Sequence, residues 1–282
     1  MNRSALNFAG LSLDRVRLMG IVNVTPDSFS DGGRLASAEA AVVKGMALVE
    51  QGASIIDVGG ESTRPGAVPV PIEEELRRVL PVVGGLARHN VLVSIDTRHA
   101  IVMAAALEAG ARIVNDVSGL THDPAALPLL AKRDAAIVLM HMRGTPADMN
   151  SRADYADVVG EVADWLMVRV AACEAAGIAR SRLALDPGLG FAKKAEHSLA
   201  LLQGVDRLLA LGLPLLIGAS RKSFIGKLSG GTGANDRLGG SLAVALLMAQ
   251  AGVRLLRVHD VAETVQALKM LSRFDKSAVA GT

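Results

Sequence analysis

Residues 54–96 read SIIDVGGESTRPGAVPVPIEEELRRVLPVVGGLARHNVLVSID. The segment opens with a short apolar run, SIIDVG (54–59), and passes through a loop rich in Gly and Pro. It continues with helical period over EEELRRVLPVVGGLARH (73–89) and returns to a second apolar run, VLVSID (91–96). Near-continuous apolarity marks strands of a parallel sheet covered on both faces. A helix between two such strands is the crossover a parallel pair requires.

The same unit recurs. Further runs are LMGIVNV (18–24), RIVNDV (112–117), AIVLMH (136–141), RLALDP (182–187), PLLIGAS (214–220) and VRLLRVH (253–259). Helical stretches such as ASAEAAVVKGMALVEQGA separate them. Eight units in a chain of 282 residues predict an α/β fold of the (β/α)8 TIM-barrel class. An open doubly wound sheet is the alternative, and a count of eight favours closure. The expected organisation is one barrel domain over 1–282, with 1–16 and 274–282 as terminal extensions.

Composition narrows the partners. Half the residues are hydrophobic, enough for a sizeable core, and the formal net charge is only +2. A broad nucleic-acid surface needs concentrated positive charge, so no nucleic-acid partner is expected. Cys173 is the only cysteine, which excludes an intrachain disulfide; in VAACEAAGI it reads as a small buried helix residue. The N-terminus has no long apolar region. Leu238 to Val253 is uncharged but short of the roughly 18–20 apolar residues that span a bilayer, and reads as a buried helix. A cytoplasmic protein with no membrane partner is expected.

Polar groups cluster where strands end. Asn23, Asp57, Asp96, Asn115, Asp186, Ser220 with Lys222, and Arg257 lie at or near the ends of seven runs, and His141 ends the fifth. Such groups are costly to bury without partners, and the carboxyl ends of barrel strands open on one face, where active sites form. Singly, an Asp or Asn there often caps the next helix; together they point to one site. In GGESTRPGA (59–67), paired glycines, two hydroxyls and Arg64 suit an oxygen-rich anion such as a diphosphate, or form an ordinary turn with a surface Arg. In LLRVHD (255–260), alternation puts Arg257 and His259 on one side, and both can donate to phosphate oxygens. In IGASRKSF (217–224), Ser220 and Lys222 stand two apart and Arg221 points elsewhere, so Lys222 is a group reaching into the mouth or a solvated loop charge.

Asp96, Asn115 and Asp186 add two carboxylates and an amide. A carboxylate accepts two parallel hydrogen bonds from an amidine-like edge, as in 2-amino-4-oxo pyrimidine rings, pterins included. Other chemistries lack their motifs: there is no G-x-S-x-G elbow, no H-E-x-x-H and no complete Walker loop. The metal these residues suit best is an oxygen-seeking cation such as Mg²⁺, shared with the diphosphate.

The blocks GIVNVTPDSFSDGG, DVGGESTRPGA, SIDT, NDVSG, LMHMRGTP, LDPGLGFAK, GASRKSFIG and LRVHDV, in that order over residues 20 to 261, closely resemble the dihydropteroate synthase family. The resemblance implies condensation of 4-aminobenzoate with hydroxymethyldihydropterin diphosphate, giving dihydropteroate and diphosphate in folate biosynthesis. It implies a homodimer and a target of sulfonamides, which mimic 4-aminobenzoate. It assigns the pterin to Asp96, Asn115, Asp186 and Lys222. The diphosphate falls to Thr63, Arg64, Arg257 and His259, with Asn23 contacting it and Mg²⁺. The 4-aminobenzoate falls to Phe29, Phe191 and Ser220.

Phe29 lies in VTPDSFSDGG, a string of turn-formers after the first strand, read as a lid whose Phe covers the aminobenzoate ring. The sequence departs from the family at Ala192, where many members have Gly, and at Lys194 and Ser198. The alternative activity is a pterin-binding methyltransferase domain that passes a folate methyl group to a corrinoid protein; it has no use for a diphosphate cradle. A non-catalytic subunit would have lost the strand-end polar set, which is intact here.

Overall fold

A computed structural model describes residues 6–25, 34–63, 66–231, 233 and 236–274. Eight parallel strands form one sheet: β1 (Arg17–Asn23), β2 (Ile55–Gly59), β3 (Val93–Asp96), β4 (Ile113–Asp116), β5 (Ala136–Met140), β6 (Leu183–Asp186), β7 (Leu216–Ile217) and β8 (Leu255–Val258). β1 to β6 pair in chain order, with β8 beside β1 and β7 beside β8. Leu185 of β6 bridges to Leu215, and its N–H donates to Pro214 O at 2.8 Å, closing the ring. The barrel expected from the eight runs is the observed architecture.

Ten helices among the described residues surround it: α1 (Arg34–Glu50), α2 (Ile72–Arg88), α3 (Ala100–Glu108), α4 (Ala126–Ala131), α5 (Val158–Ala175), α6 (Ala195–Gln203), α7 (Val205–Leu209), α8 (Ser223–Leu228), α9 (Leu238–Ala251) and α10 (Val261–Phe274). In α2, Glu73, Glu74 and Glu75 occupy the first turn and Arg88 the last, matching the helix dipole at both ends. Val79, Val82, Val83 and Leu86 make its buried stripe. A Cβ on Gly85 would lie 2.5 Å from Val42 Cγ2, and one on Gly45 2.7 Å from Leu86 Cδ2; glycine at both places lets α1 and α2 cross closely.

Side-chain alternation splits the core in two. Outward strand residues such as Leu18, Val22, Ile56, Val58, Ile95, Val114, Ile137 and Leu185 pack under the helices. Inward residues Met19, Ile55, Ile113, Val138, Ala184, Leu216 and Leu255 fill the lower barrel. The segment read from sequence as an N-terminal extension supplies the floor. Asn7–Phe8 and Leu11–Ser12 form a hairpin whose turn residues Ala9 and Gly10 have φ of 52° and 80°, as a two-residue primed turn demands. It presses Phe8, 1% exposed, against that inner layer.

α9 corrects one reading. It is apolar on all sides, yet only Ser241, Ala245, Met248 and Ala249 are buried, and Leu247 is 59% exposed. A helix beside a barrel buries only the stripe facing the sheet. No helix of the described residues is long and apolar enough to cross a membrane.

Candidate active site

Above the apolar floor the inner face turns polar. Asn23, Gly59, Asp96 and Asn115 stand level on neighbouring strands β1 to β4. One turn of alternation below Gly59 lies Asp57, fully buried. Across the barrel Arg257 of β8 reaches both carboxylates: Nε donates to Asp57 Oδ2 at 2.6 Å and Nη2 to Asp96 Oδ2 at 2.8 Å. Asn115 Nδ2 donates to the same Asp57 Oδ2 at 3.1 Å. Asp57 Oδ1 has no hydrogen-bond partner among the described residues. Burial lifts the Asp96 carboxyl to about 7 in spite of the Arg257 charge, and Asp57 adds to the rise. Burial opposes the charge on Arg257, but Asp57 and Asp96 outweigh it and raise its proton affinity.

Opposite this pair, Asp186 ends β6. Its Oδ1 accepts from Gly188 N–H at 2.7 Å. Burial raises its carboxyl, tempered by Lys222. Lys222 Nζ donates to Leu189 O at 2.5 Å and stands 4.7 Å from the centre of the Phe191 ring. Burial lowers its ammonium to about 8, against the pull of Asp186. Thr63, Asp96, Asn115, Val117, Met140, Asp186, Phe191, Gly218, Lys222 and Arg257 line one open cleft. It has an apolar wall, two carboxylates, an amide and two cations, which suits a flat heterocycle with donors along one edge and acceptors along another.

Seven of the sequence-assigned residues, namely Thr63, Asp96, Asn115, Asp186, Phe191, Lys222 and Arg257, thus meet in one place. Arg257, read from sequence as a diphosphate ligand, is turned inward among the carboxylates of the heterocycle side. Ser220 and His259, assigned to different substrates, touch each other: Ser220 Oγ accepts from His259 N–H at 3.1 Å and lies 3.1 Å from its Nδ1. Burial, then Arg257, lowers the His259 imidazole to about 4. Arg221 does point elsewhere, into a two-armed pair with Asp260. Phe29 and Arg64, and with them the lid segment 26–33, lie outside the described residues.

Asn23 Oδ1 and Asp96 Oδ2 each lie 3.7 Å from where a side chain on Gly59 would begin. Two oxygens thus flank one glycine at the mouth. No group of three or more His, Cys, Asp or Glu among the described residues is arranged to hold a metal. Such a donor set fits a hard cation that keeps waters and takes its other oxygens from a phosphate.

Three features escaped the sequence reading. Asp57 was read there only as one of the strand-end polar groups and assigned to no substrate, although it is the only charged residue of SIIDVG and sits in the inward phase of the strand. A buried pair joins the loops after β2 and β3: Arg98 donates from Nε and Nη2 to Glu61 Oε2 and Oε1, each at 3.1 Å, and Glu61 Oε1 also accepts from Val70 N–H. His141 and Lys193 meet behind Phe191; nothing in the sequence spacing marks that contact. The departures also acquire a location. Ala192 is fully buried with φ 49°, a left-handed conformation that costs a non-Gly residue about 1–2 kcal/mol. Ser198 Oγ accepts from Gly190 N–H at 3.2 Å and so ties α6 to the cleft loop.

A model of the family described as pterin binding enzyme matches residues 19–259. The chain is 47% identical over 262 residues to the dihydropteroate synthase of Escherichia coli (strain K12), covering 93% of this chain and 92% of that protein. A solved structure of Xanthomonas albilineans dihydropteroate synthase with 4-aminobenzoic acid superposes with a TM-score of 0.88 at 50% identity, over 97% of both chains. The Xanthomonas albilineans enzyme in complex with 7,8-dihydropteroate gives 0.85 at 47% identity, over 96% of both.

Proposed function

The chain belongs to the pterin-binding enzyme family, and from that premise we infer that it is a dihydropteroate synthase. It condenses 4-aminobenzoate with (dihydropterin-6-yl)methyl diphosphate to give dihydropteroate and diphosphate, a step of folate biosynthesis. The observation that carries the reading is the convergence of Asp96, Asn115, Asp186, Lys222 and Arg257 on one cleft beside Phe191. Likeness to synthases over more than nine-tenths of the chain supports this reading over the corrinoid-dependent methyltransferase, which has no use for a diphosphate cradle.

The pterin lies against Asp96, Asn115, Asp186 and Lys222. Asp186 takes the 2-amino and ring N–H edge; Lys222 donates to the ring acceptors. Breaking the methylene C–O bond sends its electron pair out with the diphosphate and leaves positive charge spread over the pterin. Carboxylates preorganised in a buried site stabilise that charge without reorganisation. The leaving group meets Thr63, Arg64 and His259, and Asn23 would hold Mg²⁺, which would supply charge neutralisation to the diphosphate. The neutral amine of 4-aminobenzoate, placed between Phe191, Ser220 and the Phe29 segment, then forms the C–N bond and releases its proton to solvent. The neutral amine has a free lone pair and loses its proton only after attack, so positioning rather than a general base does the rest.

The protein works as a cytoplasmic homodimer with small-molecule substrates and neither nucleic acid nor membrane as partner. Leu228, Leu247, Met270 and Phe274 are exposed on α8, α9 and α10 and offer a second copy an apolar surface. Purified protein incubated with the pterin diphosphate, 4-aminobenzoate and Mg²⁺ should yield dihydropteroate and diphosphate. Binding of a methylated folate without product would sink the reading. Chelation should abolish turnover, and Asn23→Ala should raise the Mg²⁺ requirement; indifference to both would remove the metal.

A further inference from the structure

Lys193 is 7% exposed, yet none of its hydrogen bonds goes to a carboxylate. Its Nζ lies 2.9 Å from His141 Nδ1, 3.3 Å from His141 O and 2.9 Å from Phe191 O. Nζ donates to two backbone carbonyls and pairs with one ring nitrogen, so two loops rather than a counter-ion surround the group, and burial holds its ammonium well below the usual lysine range. Taking a lysine head group out of water with no ion-paired oxygen is expensive, and the arrangement has to accomplish something that an apolar side chain could not.

The three partners define the result. His141 follows β5 and Phe191 belongs to the loop after β6, so Nζ fastens one loop to the other. The β6 loop is tightly wound there. Phe191 N–H donates to Gly188 O at 3.1 Å, Gly188 has φ 68°, and Ala192 has φ 49°. A Cβ on Gly188 would strike His141 O at 2.0 Å, so the backbones of the two loops are in contact at this point. The peptide group of Phe191 is therefore held at its N–H by Gly188 and at its carbonyl by Lys193, while its ring turns to the cleft beside Lys222. Behind Nζ the His141 ring packs edge-on to Trp165, with centroids 5.0 Å apart, which keeps the ring in place.

We propose that Lys193 is a positioning residue for the second substrate: through the Phe191 carbonyl it sets the ring that forms one wall of the 4-aminobenzoate subsite. This rests on the reading of the chain as a dihydropteroate synthase. Asn115, Asp96 and Lys222 of the pterin side stand on β4, β3 and after β7, away from the tie; only Asp186, held by Gly188 of the same loop, adjoins it, so the larger effect falls on the Phe191 wall.

The test compares wild type with Lys193→Met and Lys193→Gln in steady-state synthesis, each substrate varied in turn, beside thermal melting. Met and Gln each end one atom short of Nζ; Met lacks donors, and Gln keeps two N–H donors for the two carbonyls. The expected result for K193M is a KM for 4-aminobenzoate raised about tenfold, the equivalent of one well-placed hydrogen bond, with the KM for the pterin diphosphate within about twofold of wild type. K193Q recovers part of the difference. An unchanged KM for 4-aminobenzoate, both KM values rising together, or K193Q no better than K193M overturns the tie even if the variants melt lower. A wild type that makes no dihydropteroate overturns the parent reading, and this one with it.

Discussion

Replacing Asp96 by Asn should make the protein more stable, by an amount that grows with pH. Asp96 Oδ2 accepts from Arg257 at 2.8 Å, which by itself favours the carboxylate. Burial is the larger influence, and the folded carboxyl is raised to about 7 from an ordinary value of 3.8. A carboxyl raised in this way binds more protons folded than unfolded between those values. Its stabilising contribution is complete below pH 3.8 and is lost progressively as pH rises through 7. At ~1.4 kcal/mol for each tenfold change in proton affinity, the loss is about 2 kcal/mol at pH 5, about 3 at pH 6 and about 4 at pH 8. Asn has the shape of the protonated acid, keeps an oxygen for Arg257 and cannot ionise. Urea unfolding of wild type and D96N at pH 5, 6, 7 and 8 should show the variant ahead by a margin that widens by about 2 kcal/mol across the series. The same variant should lose synthase activity, since a pterin partner is gone. A margin that is flat, reversed or shrinking with pH would mean that Arg257 governs Asp96 and that the buried carboxylate stabilises the fold.

Gly188→Ala puts a Cβ 2.0 Å from His141 O at φ 68°. Backbone must move, and a destabilisation above about 2 kcal/mol with loss of pterin binding is expected in denaturation and calorimetry; normal pterin affinity would contradict the described loop. Phe8→Ala opens the barrel floor and should lower stability by about 3–5 kcal/mol with both KM values near wild type, because Phe8 lies at the end of the barrel away from the cleft; a change in KM would refute that separation. Lys222 is lowered to about 8 by burial, and only its charged form donates from three N–H groups. The pH profile of kcat/KM for the pterin diphosphate should therefore fall on an alkaline limb near 8; a profile flat to pH 10 would remove Lys222 from pterin recognition.

The barrel was legible in the chain because its signal is local and repeated. Each strand is a short apolar run and each crossover a longer amphipathic stretch, so a count of eight suffices for closure. The polar ends of the runs were legible for the same reason: a charged or amide residue in an otherwise apolar strand stands out. Asp96, Asn115 and Asp186 could be placed at the mouth from period alone, and they meet there.

Other features depend on distances between residues far apart in sequence. Arg257 was readable as a cation at the end of β8, but its division between Asp57 and Asp96 depends on a reach across the barrel interior, 200 and 161 residues away in the chain. α9 looks buried by composition, and only the curvature of the barrel decides which stripe it hides. Phe8 carries no mark of a core residue in a two-residue strand until the barrel it seals has closed. Lys193 reads as one of two lysines in GFAKK, and its purpose comes from two carbonyls brought together by β5 and β6. Sequence by itself thus determined which strands form, how many, and which chemical groups stand at their ends, because hydrophobic period and strand-end polarity are properties of a few neighbouring residues. Tertiary structure decided which charges pair, which carboxyl is raised by burial, and which lysine is buried, because burial and hydrogen-bond partners exist only once distant segments share one dry interior.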